Sequence, residues 1–194
     1  MGGPRTSPAP KGAPARAALI EATTQLILSR GYSAITARSI ADRAGVSLSL
    51  IYHYFSSLDV LLLEVFQRGA KRSQARMQTA ARSEQPLRAL WALSTDTQDN
   101  RLTLEFMAMT HKYEVIRSAL AAHAERLREI QVEAIGRHFK ARGMEPKIPP
   151  LLTAFLIASL SRSLLLESAL GMSSGHAEME ALVETCLQRF DPIN

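Results

Sequence analysis

The chain has 194 residues, 46% apolar and 21% charged, which excludes a largely disordered polypeptide and allows a small reading head on a larger helical body. The formal charge is +5 and the pI near 9.7. Residues 1–58 hold six basic against two acidic side chains and net +4, while the rest nets only +1, so a polyanionic partner is expected at the first third.

Residues 1–14 contain four prolines and three glycines and are expected to form a flexible basic arm. From Ala15 onward the apolar spacing is helical and no strand is predicted. The first helix covers about Ala15 to Ser29, with Leu19, Ala22 and Leu26 one turn apart, and Gly31 ends it. Thr36 can cap a short helix through Ala44, and Gly45 closes that one. Helices from Ser47 to Tyr54 and from Leu58 to about Ala81 follow, Ser56 or Ser57 capping the second. Pro86 opens a helix holding Trp91, and another runs from Arg101 to Thr110. A long amphipathic helix spans about Val115 to Ala141, stopped by Gly143 and Pro146. The last two run from Pro149 to Leu170 and from His176 to Phe190. The fold class is therefore all-α, with about nine helices.

Thr36 to Asp59, TARSIADRAGVSLSLIYHYFSSLD, carries the functional signal. Two short helices flank Gly45, a spacing that sets them steeply across one another. Val46, Ile51 and Phe55 can turn inward. Leu48, Ser49, Leu50, Tyr52, His53 and Tyr54 then turn outward, a face with two leucines, two tyrosines and no acid. One short helix cannot bury both faces, and tyrosine and histidine suit phosphate hydrogen bonds at a groove edge. Arg16 lies upstream, Arg38 opens the preceding helix, and the helix start at Thr36 offers backbone amides to a phosphate oxygen.

Residues 15–66 resemble the DNA-binding domain of the tetracycline-repressor (TetR) family. The resemblance rests on Leu19, Ile20, Ala22, Gly31-Tyr32, Thr36, Ile40-Ala41, Ala44-Gly45-Val46-Ser47, Ile51-Tyr52-His53-Tyr54-Phe55, Asp59 and Leu61. It implies that the helix beginning at Ser47 enters the major groove with Leu48, Ser49 and Leu50 near base edges. Tyr52 and His53 would meet the groove wall, and Tyr54 and Thr36 the phosphates. Two positions depart from the pattern. Leu58 stands where the family carries a phosphate-gripping lysine, and Ser49 where it has glycine or a small residue. Binding is then weaker unless Lys11 and Arg16 compensate. Leu48 and Leu50 can touch only thymine methyls and Ser49 discriminates poorly, so specificity is expected to lean on thymine contacts, DNA shape and the arm.

In the body, the helix from Leu151 to Leu170 is long enough to span a bilayer. Arg162 and Glu167 would each cost a few kcal/mol at midplane, which favours a buried helix and no membrane. That helix must be covered on both faces, and Leu165 and Ala169 mark one of them. The last helix shows a stripe of Met179, Leu182, Val183, Cys186, Leu187 and Phe190. Together they suggest a two-fold, four-helix homodimer interface or a monomer core; the resemblance implies the dimer. Trp91, Phe106, Met107, Met109, His111, Phe155 and Leu164 can line a pocket for an apolar ligand or simply fill the core. Glu105 and Glu167 sit in apolar helices and need partners, for which Arg162 or Arg101 are candidates.

The single cysteine excludes an intrachain disulfide framework, and no apolar secretory segment opens the chain, so a reduced cytoplasmic setting is expected. No HExxH pair, catalytic triad or phosphate-cradling loop is present, so no catalysis, metal or cofactor is expected. Three domains are predicted: the arm (1–14), the helix-turn-helix (15–60) and a helical effector-binding and dimerisation domain (61–194). The favoured function is a dimeric repressor released from a palindromic DNA operator by a small, largely apolar effector. The alternatives are a DNA-binding regulator or architectural protein without small-molecule control, and a helical enzyme or carrier retaining the head.

Overall fold

The structure, a computed structural model, describes residues 12–145 and 147–193. Among them are nine α-helices and no strand: α1 (Ala13–Arg30), α2 (Ala37–Ala44), α3 (Leu48–Tyr54), α4 (Leu58–Ala81), α5 (Pro86–Thr95), α6 (Thr97–Met109), α7 (Glu114–Ala141), α8 (Pro150–Ala169) and α9 (His176–Phe190). A 3-10 turn, Tyr32–Ala34, joins α1 to α2. The all-α expectation holds. Most of the proposed arm, and the stop at Pro146, lie outside the described residues. Ala13 and Pro14 belong to α1 rather than to the arm, Pro14 occupying the first turn, where its missing N–H has no helical partner to lose.

Helix ends follow local chemistry. Thr36 Oγ1 accepts the Ser39 N–H at 3.0 Å and Ser39 Oγ accepts the Thr36 N–H at 3.0 Å, a reciprocal cap with serine in place of the usual glutamate. Ser57 Oγ accepts the Val60 N–H at 3.3 Å, so Ser57 rather than Ser56 opens α4.

The chain divides into two compact units. The first runs to Gly69 and takes in Arg101–Leu120; the second comprises Ala70–Asn100 and the chain from Ala121 onward. The sequence boundary at residue 60 thus lies inside the first unit, because the start of α4 and most of α6 pack with the head. Leu19, Leu26 and Ile27 of α1 are buried with Ile40, Ile51 and Phe55, and Leu61, Leu62 and Val65 of α4 are buried too. Phe66 meets Phe106 of α6 edge-on, with ring centroids 5.2 Å apart. Each such large side chain contributes about 1.5–3 kcal/mol by leaving water.

In the second unit α5 packs on α8 and α9, over a core that includes Met77, Leu90, Ile135, Phe139, Ala154 and Leu187. Asp191, fully buried just beyond α9, accepts the Arg88 N–H through Oδ2 at 2.9 Å. It therefore caps α5 from the far end of the chain, where Gln85 supplies no side-chain cap. Arg88 also forms a bidentate pair with Glu184, at 2.7 and 2.9 Å.

Helix α8 departs from the expectation of a helix covered on both faces. Only Ala154 and Ser161 are buried, while Leu151, Leu152, Phe155, Leu156 and Leu166 are exposed. One chain covers one side of α8 and leaves the other open. Among the described residues α8 is also the single helix long and apolar enough to cross a membrane.

Candidate nucleic-acid interface

Helices α2 and α3 form a helix-turn-helix around Gly45. Its backbone is left-handed, φ +66° and ψ 33°, and a Cβ placed there would meet nothing within 4 Å. Glycine is thus required by dihedral rather than by space. The Val46 N–H returns to the Ala41 carbonyl at 3.0 Å and satisfies an end of α2.

Two faces of α3 separate cleanly. Ile51 (0% exposed) and Phe55 (1%) form the inward frame, and Val46 is half-buried. Outward stand Ser47, Leu48, Ser49, Tyr52 and His53, all exposed, with Leu50 and Tyr54 half-buried at the margin. Leu48 and Tyr52 are 45% and 55% exposed. The Ser47 and Ser49 hydroxyls hydrogen-bond each other at 3.0 Å, and the His53 ring meets Tyr54 edge-on at 4.9 Å.

The polar residues predicted to meet DNA fall into different local settings. Tyr54 Oη accepts the Gly12 N–H at 2.7 Å, which leaves the phenolic proton free to be donated. Arg38 is exposed and makes no ion pair among the described residues. Thr36 is occupied as the cap of α2. Arg16 is engaged within the head: Glu64 binds its guanidinium through both carboxylate oxygens, and it stacks 5.1 Å above the Phe55 ring. A residue held in this way offsets Glu64 before it can serve a phosphate.

Two contacts from α6 grip the same unit. Glu105 accepts the Tyr32 N–H at 2.9 Å, and Arg101 donates to the Leu28 carbonyl at 2.9 Å near the end of α1. The expected Arg101–Glu105 neutralisation is therefore replaced by two backbone contacts, since each side chain reaches an end group that the α1–α2 junction leaves without a helical partner. Glu167 likewise pairs with His176 at 2.9 Å and Ser163 at 3.1 Å rather than with Arg162. The His176 hydrogen bond, then that from Ser163, holds its carboxyl below the usual carboxylate range. Sequence reasoning missed the Glu105 partner because nothing in its pattern distinguishes a peptide N–H from a guanidinium. Glu105→Ala strands that N–H and is expected to lower stability by about 1–3 kcal/mol, with Glu105→Gln retaining most of it. Thermal denaturation of the two variants checks this, and equal melting would contradict it.

The residues proposed for a pocket are divided between the two units. Phe106, Met107, Met109 and His111 lie in the first unit, with Phe106 and Met109 each 1% exposed and His111 edge-on to Tyr32. Trp91, Phe155 and Leu164 lie in the second; Trp91 packs against its core, and Arg128 sits 5.2 Å above the exposed Phe155 ring. An open groove between α4 and α5, lined by Ala75, Ala80, Ala89 and Leu93, includes none of the seven. The α8–α9 residues divide as well. Leu187 is buried, Val183 and Phe190 pack on the same core, and Leu165 and Met179 are half-buried. Ala169, Leu182 and Cys186 are exposed.

An all-helical chain whose first unit frames an outward α3 in this way has, by fold, a helix-turn-helix head. Residues 19–65 match the family model "Bacterial regulatory proteins, tetR family". That match lies within the head alone, and the curated relatives that the chain resembles are named as transcriptional regulators. It is 49% identical over 47 residues to the HTH-type transcriptional regulator PksA of Bacillus subtilis, covering 24% of this chain and 23% of PksA. It is 32% identical over 122 residues to the HTH-type transcriptional regulator BetI of Rhizobium meliloti, covering 58% and 60%. The chain thus spans less than two thirds of the length of these curated relatives. In fold it is similar to a transcriptional regulator from Saccharomonospora viridis solved in complex with choline, with TM-score 0.77, 19% identity and coverage of 92% and 97%. E. coli NemR in its reduced form gives TM-score 0.74, 19% identity and coverage of 91% and 97%.

Proposed function

We propose that the protein is a dimeric, cytoplasmic repressor that binds a palindromic operator through α3 and leaves it when a small, largely apolar molecule binds the body. The observation that carries the DNA reading is the outward face of α3, apolar and hydroxyl-bearing without one acidic group, held by the buried Ile51 and Phe55. Leu48 and Leu50 are suited to thymine methyls, and Tyr54, with its proton free, to a phosphate oxygen. Arg38 supplies an exposed cation on α2 of the same head. Two heads must reach half-sites about 34–36 Å apart, and the uncovered faces of α8 and α9 supply the apolar surface through which a second copy can pair.

Small-molecule control is supported by the choline-bound neighbour, whose ligand is that protein's own. Regulation without an effector is the second reading, favoured by Phe106 and Met109 being spent on packing.

Titration of the protein onto its own upstream DNA and onto a scrambled duplex tests the first step. Leu50→Ala is expected to narrow the gap between specific and random duplexes by about tenfold, one lost thymine contact. Tyr54→Phe is expected to weaken both alike, by about threefold to tenfold, one hydrogen bond. Equal behaviour of the two variants on both duplexes would remove this division of roles. Displacement from the bound duplex by a library of apolar molecules separates effector control from its alternative.

A further inference from the structure

We propose that the open groove between α4 and α5 binds a single-chain amphipathic anion, its apolar tail along the groove and its anionic head on Arg72. The groove encloses about 560 Å³, within the range of small-molecule clefts. Ala75, Thr79 and Ala80 line it from α4, and Ala89, Ala92 and Leu93 from α5. The hydroxyls on its α4 wall are spent on that helix. Thr79 Oγ1 donates to the Ala75 carbonyl at 3.1 Å, and Ser83 Oγ to the Ala80 carbonyl at 2.8 Å. The surface left to a ligand is therefore chiefly methyl and methylene groups, and it runs about 12 Å along α4 from Ala75 to Ser83. Met77 and Ala81 lie on the opposite side of α4, buried in the core of the second unit, so the groove is on the outer side of that helix.

Charge selects the head. Residues 70–83 hold Lys71, Arg72, Arg76 and Arg82 and no acid, and all four cations are exposed. Arg72, Ala75, Arg76 and Thr79 follow at three- and four-residue spacing and share one face of the helix. Arg76 lines the groove and pairs with Asp96 at 3.3 Å, just beyond α5. Arg72, one turn earlier, is in no ion pair among the described residues. A wholly apolar molecule would make no use of that guanidinium, and a small anion would gain nothing from the groove. An amphipathic anion uses both, and a carboxylate matches the guanidinium fork. The second unit alone carries this proposal; release from DNA by the same molecule belongs to the small-molecule reading above and stands or fails separately.

The test is calorimetric titration of the full chain with decanoate below its micelle concentration, with 1-decanol and acetate as tail and head alone. Decanoate is expected to bind at one site per chain, and the other two at least about tenfold more weakly. Arg72→Ala is expected to weaken decanoate about tenfold, one charge-assisted contact, and to leave decanol unchanged. Ala92→Phe puts a ring into the groove from an exposed position and is expected to abolish binding of both. Arg126→Ala removes an equally exposed cation from α7 and is expected to change neither. Equal losses in Arg72→Ala and Arg126→Ala overturn the proposal, since they report charge attraction without a site. So does decanoate binding that survives Ala92→Phe. Capture of the chain by vesicles of anionic phospholipid, with no binding of decanoate, overturns it too and makes the α4 cations a membrane contact.

Discussion

Phe55→Ala is expected to abolish DNA binding by unfolding the head, while Tyr52→Ala, three residues away on the same helical turn, is expected to weaken binding with the fold intact. Phe55 is 1% exposed and supports the Arg16 guanidinium, so its loss removes transfer energy, leaves a cavity and frees a stacked cation. Truncations of this kind cost about 3–5 kcal/mol, a large part of the 5–15 kcal/mol by which a typical domain is stable. A fall of more than about 10 °C in the melting midpoint follows from the size of the unit. Tyr52 is 55% exposed, and its truncation should move stability by no more than about 0.5 kcal/mol. Calorimetry and titration on the same samples decide the matter. A Phe55→Ala protein that melts like the parent and still binds would show that the inward frame does not hold the reading face.

On the proposed α8–α9 dimer, Leu182→Asp is expected to yield a folded monomer with DNA affinity lower by at least about 100-fold, because two linked heads would gain about 10²–10⁴ in avidity over one. Leu182 is 58% exposed in the single chain, so an aspartate there meets water in the monomer. In a pair of α8–α9 faces it would be desolvated with its symmetry mate and drive the copies apart. Leu187→Asp is the contrasting variant. Leu187 is 8% exposed and packs with Phe139 and Leu90, so that substitution should unfold the second unit rather than dissociate two intact copies. Light scattering and circular dichroism distinguish the cases. A Leu182→Asp protein that stays dimeric would place the interface elsewhere.

The two leucines also mark how far the pattern of residues could be read. Met179, Leu182, Val183, Cys186, Leu187 and Phe190 form one stripe by spacing, and spacing alone assigns them to one interface. The chain instead uses Leu187, Val183 and Phe190 for its own core and leaves Leu182 and Cys186 outside. A stripe reports that a face is apolar but not which neighbour covers it. The same holds for α8, whose composition demands cover on two sides and finds it in this chain on one. By spacing Phe106 and Met109 are equally open between pocket and packing, and in the folded chain both are buried in the first unit.

The helix-turn-helix with which the functional signal began was legible residue by residue, because its determinants are local. Thr36 and Ser39 cap one another three residues apart, Gly45 alone tolerates the left-handed turn, and Ile51 and Phe55 are four apart and so share a face. Relations of this range are set by helix geometry and survive in the order of the residues. The partners of charged groups are a different matter. Glu105 finds the Tyr32 N–H 73 residues away, Arg16 finds Glu64 across 48, and Asp191 caps α5 across 103. Each pairing depends on where packing brings a backbone end or a carboxylate, and an arginine four residues off in sequence gives no hint of it. Helices, turn and reading face thus follow from neighbours along the chain. Arg16's withdrawal into the head, the anchoring of Gly12 on Tyr54 and the uncovered half of α8 follow only from neighbours in space.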